Sequence, residues 1–258
     1  HHVTHAHRRR DGLGERIHVD DRALGLEGEE RILALARHAE FRIEVVLDDV
    51  AAALLRPAEI FAAFARAGGH LARKAVERRD EASLLENTIN QLDAEDCLRH
   101  INGSLYGNDY EERLFNVAME LCITWMNRIL FLKLLEAQML KYHNGDAIYK
   151  FLSITKIHDY DDLNTLFFQV LARDMGSRTH SIMRDFAYVP YLNSSLFEVT
   201  DLESKTIKIN SLSQRTVLPV LASSVLRNKK RNLQVNALPT LQYLFAFLDA
   251  YNFASEGS

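Results

Sequence analysis

A short acidic segment carries the residue types that Mg²⁺-dependent nucleases use. Asp201, Glu203 and Lys205 lie within five residues of one another. In such nucleases carboxylates converge on the metal ion, and a lysine positions the attacking water. Triplets of the form acid–x–Lys also arise constantly by chance, and this one is expected in a polar loop. We therefore assign it no catalytic role.

The chain opens with a histidine-rich tract. His1, His2, His5 and His7 could bind a metal, as His-rich tracts do. No cysteine and no ordered set of carboxylates accompanies them to complete a site. A disordered or tag-like terminus is the preferred interpretation, and no metal site is assigned.

Four cations form the densest basic cluster in the second part of the chain. Arg227, Lys229, Lys230 and Arg231, here called the basic cluster, lie within five residues. They could neutralise several DNA backbone phosphates and supply salt-dependent, sequence-independent affinity. A solvated helix C-terminus, where cations complement the macrodipole, explains the same residues. Because the whole chain has a net charge of −4, any attraction to DNA must come from this local patch.

The motifs of several large enzyme classes are absent from the sequence. It contains no G-x-G-x-x-G, P-loop, H-E-x-x-H or G-x-S-x-G motif. Two cysteines, Cys97 and Cys122, are too few for a disulfide framework and lack neighbours at metal-ligand spacing, which indicates a reducing setting. No apolar run reaches the roughly eighteen residues of a membrane span. We predict a cytoplasmic protein without catalytic residues, cofactor-binding residues, a metal site or a membrane partner.

Amino-acid composition changes abruptly between residues 82 and 83. Residues 1–82 contain no Ser, Asn, Gln, Tyr, Cys, Trp or Met, and they hold thirteen of the twenty-two arginines but one lysine. Residues 83–258 carry every Asn, Tyr and Met of the chain. Two interpretations remain open: a boundary between two domains, or a first segment from a GC-rich reading frame unrelated to the rest, for example through a frameshift.

Residues 109–143 predict one long helix. Asp109 and Glu112 resemble a capping box, and Asn144-Gly145 supplies a C-terminal stop. A wide apolar face predicts that neighbouring elements bury most of this helix. A narrow polar stripe at i, i+4 spacing is interpreted as a solvated face, with a binding surface as the alternative. The stripe comprises Asn116, Glu120, Thr124, Asn127 and Arg128.

Shorter elements are predicted on either side of this helix, and together they indicate a mainly α fold with an N-terminal segment of uncertain fold. Asp159 caps a helix over 159–173, and a last helix begins near Pro239. Weaker patterns predict helices at 29–39, at 218–227 and from Pro57 to Gly68-Gly69, and strands at 41–47 and 206–209. The core of the second part is predicted around Trp125, Phe131, Phe167, Phe168, Phe245 and Phe247.

Four segments of the second part occur in an order that resembles a known family. They are 127–143 (NRILFLKLLEAQMLKYH), 163–172 (LNTLFFQVLA), 189–198 (VPYLNSSLFE) and 243–258 (YLFAFLDAYNFASEGS). Together they resemble the helical region that precedes the methyltransferase domain in type IIG restriction–modification proteins. These are single chains that carry an endonuclease and an adenine-specific DNA methyltransferase. Within the third segment, residues 191–198 (YLNSSLFE) resemble a loop that recurs in the family. That loop usually has Gly-Gly where this chain has Ser194-Ser195. The resemblance covers about residues 113–258 and nothing in 1–82.

The resemblance implies a helical connector between the nuclease and methyltransferase domains of one parent chain, with DNA as a partner. S-adenosylmethionine and Mg²⁺ are implied for the full-length family. Their motifs, a glycine-containing loop and Asn/Asp-Pro-Pro-Tyr/Phe, are absent from this sequence. We therefore expect a fragment that neither methylates nor cleaves DNA in isolation. The alternative is a free-standing helical protein-interaction module with no catalytic activity.

Overall fold

The computed structural model describes residues 64–67, 70–73, 75–192, 194–215, 217–222, 224–227, 235–251 and 253. The α-helices of this part are α1 (Leu84–Ala94), α2 (Tyr110–Tyr142), α3 (Tyr160–Thr165), α4 (His180–Phe186), α5 (Asp201–Lys205) and α6 (Thr240–Leu248). The strands form two antiparallel two-stranded sheets, β1 (Phe64–Ala67) with β2 (His70–Arg73) and β3 (Val217–Pro219) with β4 (Ala237–Pro239). Short 3₁₀ turns connect them at Val76–Arg78, Cys97–His100, Gly103–Leu105, Ala147–Tyr149, Met175–Ser177, Ser195–Phe197, Ile209–Ser211 and Val225–Arg227. The predicted mainly α class is confirmed.

Helix α2 is the central element, and its ends lie where local sequence signals put them. The Asp109 carboxylate accepts from the backbone N–H of Glu112 at 2.8 Å. Glu112 in turn accepts from the backbone of Asn108 rather than Asp109, so only half of the capping box forms. Beyond the last turn, Asn144 and Gly145 adopt positive φ, and Gly145 N–H donates to the Leu140 carbonyl at 2.7 Å. Thirty-three residues make a helix of about 50 Å.

The other helices and loops bury α2 over most of its length. Trp125, Phe131, Phe167, Phe245 and Phe247 are buried as predicted, whereas Phe168 is partly buried. The predicted polar stripe is not a uniform solvated face. Glu120 is exposed, but Arg128 is completely buried, because it contacts residues far along the chain that the helical spacing cannot reveal.

The predicted helix over 159–173 forms with a change of pitch. Asp159 caps it by accepting from the N–H of Asp162. The α-helical part ends at Thr165, and Leu166–Leu171 continues as a π-helical turn. A π-helical turn shifts the register of side chains by one residue, and such turns are often found at functional sites. The consecutive residues Phe167 and Phe168 lie in this turn, and both rings are close to the Arg128 guanidinium.

Three weaker element predictions were wrong. Residues 206–209 form no strand: Ile207 and Ile209 point into the core, so their alternation reports burial without a partner strand. The predicted helix over 218–227 is replaced by β3, a loop and a 3₁₀ turn, because Pro219 interrupts a helix and Leu218 pairs with Leu238. The helix predicted from Pro57 to Gly68-Gly69 is wrong over Phe64–Ala67, which form β1 and pair with β2 from Phe64↔Arg73 to Ala67↔His70. Residues 57–63 of that prediction lie outside the described residues.

The remaining N-terminal predictions, at 1–7, 29–39 and 41–47, lie outside the described residues. Ala82, at the end of the compositionally distinct segment, is buried, and its carbonyl accepts from the Thr240 hydroxyl at the start of α6. Within the described part of the chain, no helix has the length and apolarity that crossing a membrane requires.

Candidate functional site

A completely buried arginine occupies the middle of α2. Arg128 donates to both carboxylate oxygens of Glu203, at 2.5 and 2.9 Å. It also donates to the backbone carbonyls of Leu196 and Glu198, at 2.7 and 2.8 Å. Its guanidinium carbon lies 5.5 and 5.0 Å from the ring centroids of the two neighbouring phenylalanines of the π-helical turn. Arg128 and Glu203 therefore form a buried bidentate pair, a geometry in which charge-assisted hydrogen bonds are strong.

Glu203 is held ionised by the groups around it. Burial alone would raise the pKa of its carboxyl, but hydrogen bonds from Arg128, the backbone of Thr200 and the Trp125 indole hold that pKa below its ordinary value. The indole N–H donates at 2.8 Å. Thr200 and Glu203 also complete a capping box at the start of α5. The carboxylate therefore has structural partners on every side.

This geometry removes the nuclease-like interpretation of the acidic segment. Asp201, Glu203 and Lys205 lie on α5 and not in the polar loop predicted for them. The Glu203 side chain is 0% exposed, whereas that of Asp201 is 79% exposed and pairs with Lys205 at 2.6 Å. Carboxylates that face the core and the solvent cannot converge on one ion. No group of three potential metal ligands occurs among the residues that the structure describes.

A second charged group ties the end of α2 to the end of α6. Lys133 donates to Glu136 and to Asp249, both at 2.5 Å. Asp249 also accepts from Lys150 at 2.8 Å. The second oxygen of Glu136 accepts from the backbone N–H of Leu152 at 2.6 Å. Two carboxylates and two ammonium groups thus form one continuous chain of contacts.

The two carboxyl groups in this series of contacts, Glu136 and Asp249, have pKa values shifted in opposite directions. Burial raises the pKa of Glu136, which shares its one ammonium partner with another carboxylate. Burial opposes ionisation of Asp249 as well, but hydrogen bonds from Lys133 and Lys150 outweigh it and lower its pKa. Burial would lower the pKa of Lys133, yet the two flanking carboxylates raise it. Lys133 therefore stays charged.

An open cleft of about 500 Å³ lies against this chain of charges and is called the Lys133 cleft. Its floor and walls come from the last turns of α2 and from the segment that follows α6. The lining residues are Lys133, Glu136, Ala137, Leu140, Lys141, Asn144, Gly145, Asp249, Tyr251 and Phe253. Sequence patterns did not single out this site. The available signal was a pair of charges, three residues apart, inside the apolar run of 127–143.

The structure describes only the first residue of the basic cluster. Arg227 is half-buried, and its guanidinium donates twice to the Val220 carbonyl, at 3.2 and 3.0 Å. These bonds fix the loop between β3 and the following 3₁₀ turn. Lys229, Lys230 and Arg231 lie outside the described residues. A role in phosphate contact therefore rests mainly on those three cations.

The four segments singled out in the sequence meet on α2. Arg128, from the first segment, contacts the phenylalanines of the second and the carbonyls of Leu196 and Glu198 in the third. Lys133, also from the first, contacts Asp249 in the fourth. The two buried charged groups are therefore the points at which these separated pieces of sequence are joined.

Fold and site together define a helical module organised around one long, buried helix. The chain belongs to the DUF7814 family, whose model, described as a domain of unknown function, matches residues 66–258. The match begins inside the segment 1–82. No curated protein and no solved structure matches the chain.

Proposed function

We propose that the chain is a rigid helical connector of a type IIG-like restriction–modification protein, acting in the cytoplasm beside DNA. Such a connector would space the nuclease from the methyltransferase domain of the same parent chain. S-adenosylmethionine and Mg²⁺ would be bound by those domains. The proposal assigns no catalytic residue to this chain.

The observation that carries the proposal is the convergence of the four resembling segments on α2. The likeness of any single segment to the restriction–modification family is weak, and the four likenesses together suggest that family. Arg128 and Lys133 form hydrogen bonds with residues of the third and fourth segments that are 68 and 116 positions away. Segments that pack around one centre depend on one another, so we expect them to occur together in one chain. A helix of about 50 Å is also long enough to hold two domains apart.

Rigidity follows from the way α2 is held at two points. A buried ion pair is a poor source of net stability, but breaking one is strongly unfavourable, so it favours one arrangement of the elements that carry it. Arg128 attaches α2 to α5 and the loop before it, and Lys133 attaches it to the end of α6. Bending or sliding of α2 would separate both sets of charges.

The cheapest test is the coding DNA beyond codon 258. We expect an open frame that leads to an Asn/Asp-Pro-Pro-Tyr/Phe motif. A stop codon at that point would contradict the connector and favour the free-standing interaction module.

DNA contact has its own test. We expect weak, sequence-independent binding of a fluorescent duplex at low salt, measured by anisotropy, that is lost in Lys229→Glu/Lys230→Glu. Lys141→Glu/Lys205→Glu changes the net charge equally and is the control, since neither lysine lies in the basic cluster. Equal loss in both double variants would exclude the basic cluster as the contact.

A further inference from the structure

The chain contains two Asn-Gly dipeptides, Asn102-Gly103 and Asn144-Gly145. In such a pair the backbone nitrogen of the glycine can attack the side-chain amide carbon of the asparagine, because glycine has no Cβ to hinder the approach. Both asparagines are exposed to solvent. Exposure therefore does not decide which of them reacts, whereas the hydrogen bonds around the two asparagines differ.

At the end of α2 the attacking nitrogen is held in a hydrogen bond. Gly145 N–H donates to the Leu140 carbonyl at 2.7 Å. The nitrogen attacks only after it has lost its proton, and a proton bonded to a carbonyl oxygen is harder to remove. On the other side of the dipeptide, Asp146 N–H donates to the His143 carbonyl at 3.1 Å. Deamidation of Asn144 therefore requires local opening of this helix end.

At Asn102 the hydrogen bonds favour the reaction. The side-chain oxygen Oδ1 accepts from the Ser104 N–H at 3.3 Å and from the Ser104 hydroxyl at 2.9 Å. The first of these bonds closes an Asx turn, and the ring of that turn contains the backbone nitrogen that attacks. Attack on the amide carbon places negative charge on Oδ1. Because both Ser104 donors are already bonded to that oxygen, they stabilise the charge as an oxyanion hole does.

We propose that Asn102 is a site of spontaneous deamidation and that Asn144 is protected from it. A bond forms between the backbone nitrogen of residue 103 and the side-chain carbon Cγ of Asn102, and the bond from Cγ to Nδ2 breaks. The backbone nitrogen gives its proton to solvent, and Nδ2 takes a proton as it leaves as ammonia, which gives a cyclic imide. Water then opens the imide at either carbonyl to aspartate or isoaspartate. The product carries a new negative charge in the turn before α2, and the reaction is independent of the connector role.

The first experiment incubates the native full chain at mildly alkaline pH and follows both dipeptides by peptide mapping with mass spectrometry. We expect Asn102 to deamidate about tenfold faster than Asn144, because a hydrogen bond opposes the second reaction and two donors assist the first. In urea these hydrogen bonds are lost, so the two rates should converge. A ratio of rates that is the same in the native chain and in urea overturns the proposal. An Asn102 that stays intact in the native chain while the unfolded chain reacts also overturns it.

Matched variants then test the role of the Ser104 hydroxyl. Ser104→Ala removes this donor and should slow the deamidation of Asn102 about two- to tenfold, with no effect on Asn144. Ser195→Ala also removes an exposed serine hydroxyl from a 3₁₀ turn and should change neither rate. An unchanged rate at Asn102 in Ser104→Ala, or an equal fall in both variants, would contradict the stabilisation of Oδ1 on which the proposal rests.

Discussion

Replacing Glu203 by glutamine should strongly destabilise the protein. Glu203→Gln keeps the side-chain volume but removes the charge that compensates Arg128, which is 0% exposed. Removing one partner of a buried ion pair costs about 3–5 kcal/mol, because the remaining charge is left buried and uncompensated. For a domain of 150–250 residues this corresponds to a fall in Tm of about 6–20 °C.

The chain carries its own reporter for this measurement. Trp125 is the single tryptophan, it is completely buried, and its indole bonds the Glu203 carboxylate at 2.8 Å. Urea unfolding followed by tryptophan fluorescence reports the free energy of unfolding. Glu198→Gln is the matched control, because that carboxylate lies five residues earlier and is exposed. The control should change stability by no more than about 0.5 kcal/mol.

The difference in stability between the native chain and Glu203→Gln should also depend on pH. The pKa of Glu203 is lower in the folded state than in the unfolded state, so the folded state binds fewer protons. Its contribution is fully present above the unfolded pKa of about 4.3 and is lost as pH falls through the folded pKa. The stability gap between the native chain and Glu203→Gln should therefore narrow in acid. A cost no larger than that of Glu198→Gln at neutral pH would refute this account of the buried pair.

Two further predictions concern other buried groups. Glu136 has a raised pKa in the folded state, so the folded state holds this proton more tightly than the unfolded state does. The native chain should therefore lose stability relative to Glu136→Gln as pH rises from about 4.3 through the folded pKa. Measured by urea unfolding, this pH dependence is opposite in sign to that expected for Glu203→Gln. The same slope for both variants would contradict the assignment. Burial raises the pKa of the Cys122 thiol to about 12 and also raises the pKa of Cys97. Iodoacetamide at pH 8 should therefore alkylate neither thiol in the native chain and both thiols in urea, as measured by mass spectrometry. Rapid stoichiometric alkylation of the native protein would show that these thiols are accessible.

Local signals in the sequence were sufficient for both ends of α2 and for the start of α3. The caps at Asp109 and Asp159 and the stop at Asn144-Gly145 act between residues three to five positions apart. Such contacts form in any chain that enters a helix there, so their residue types can be recognised without knowledge of the fold. The apolar periodicity of α2 likewise predicted a buried helix, and the mainly α class followed from these elements.

Tertiary structure alone decided which charged residues are buried and what they contact. Arg128 and Lys133 occur on a helix whose sequence is compatible with either solvation or burial of each side chain. Their partners, Glu203 and Asp249, lie 75 and 116 residues away. The strand at 217–219 depends in the same way on a partner strand about twenty residues further along. Pairings at such distances leave no periodic pattern in the sequence, because they are set by how the helices pack.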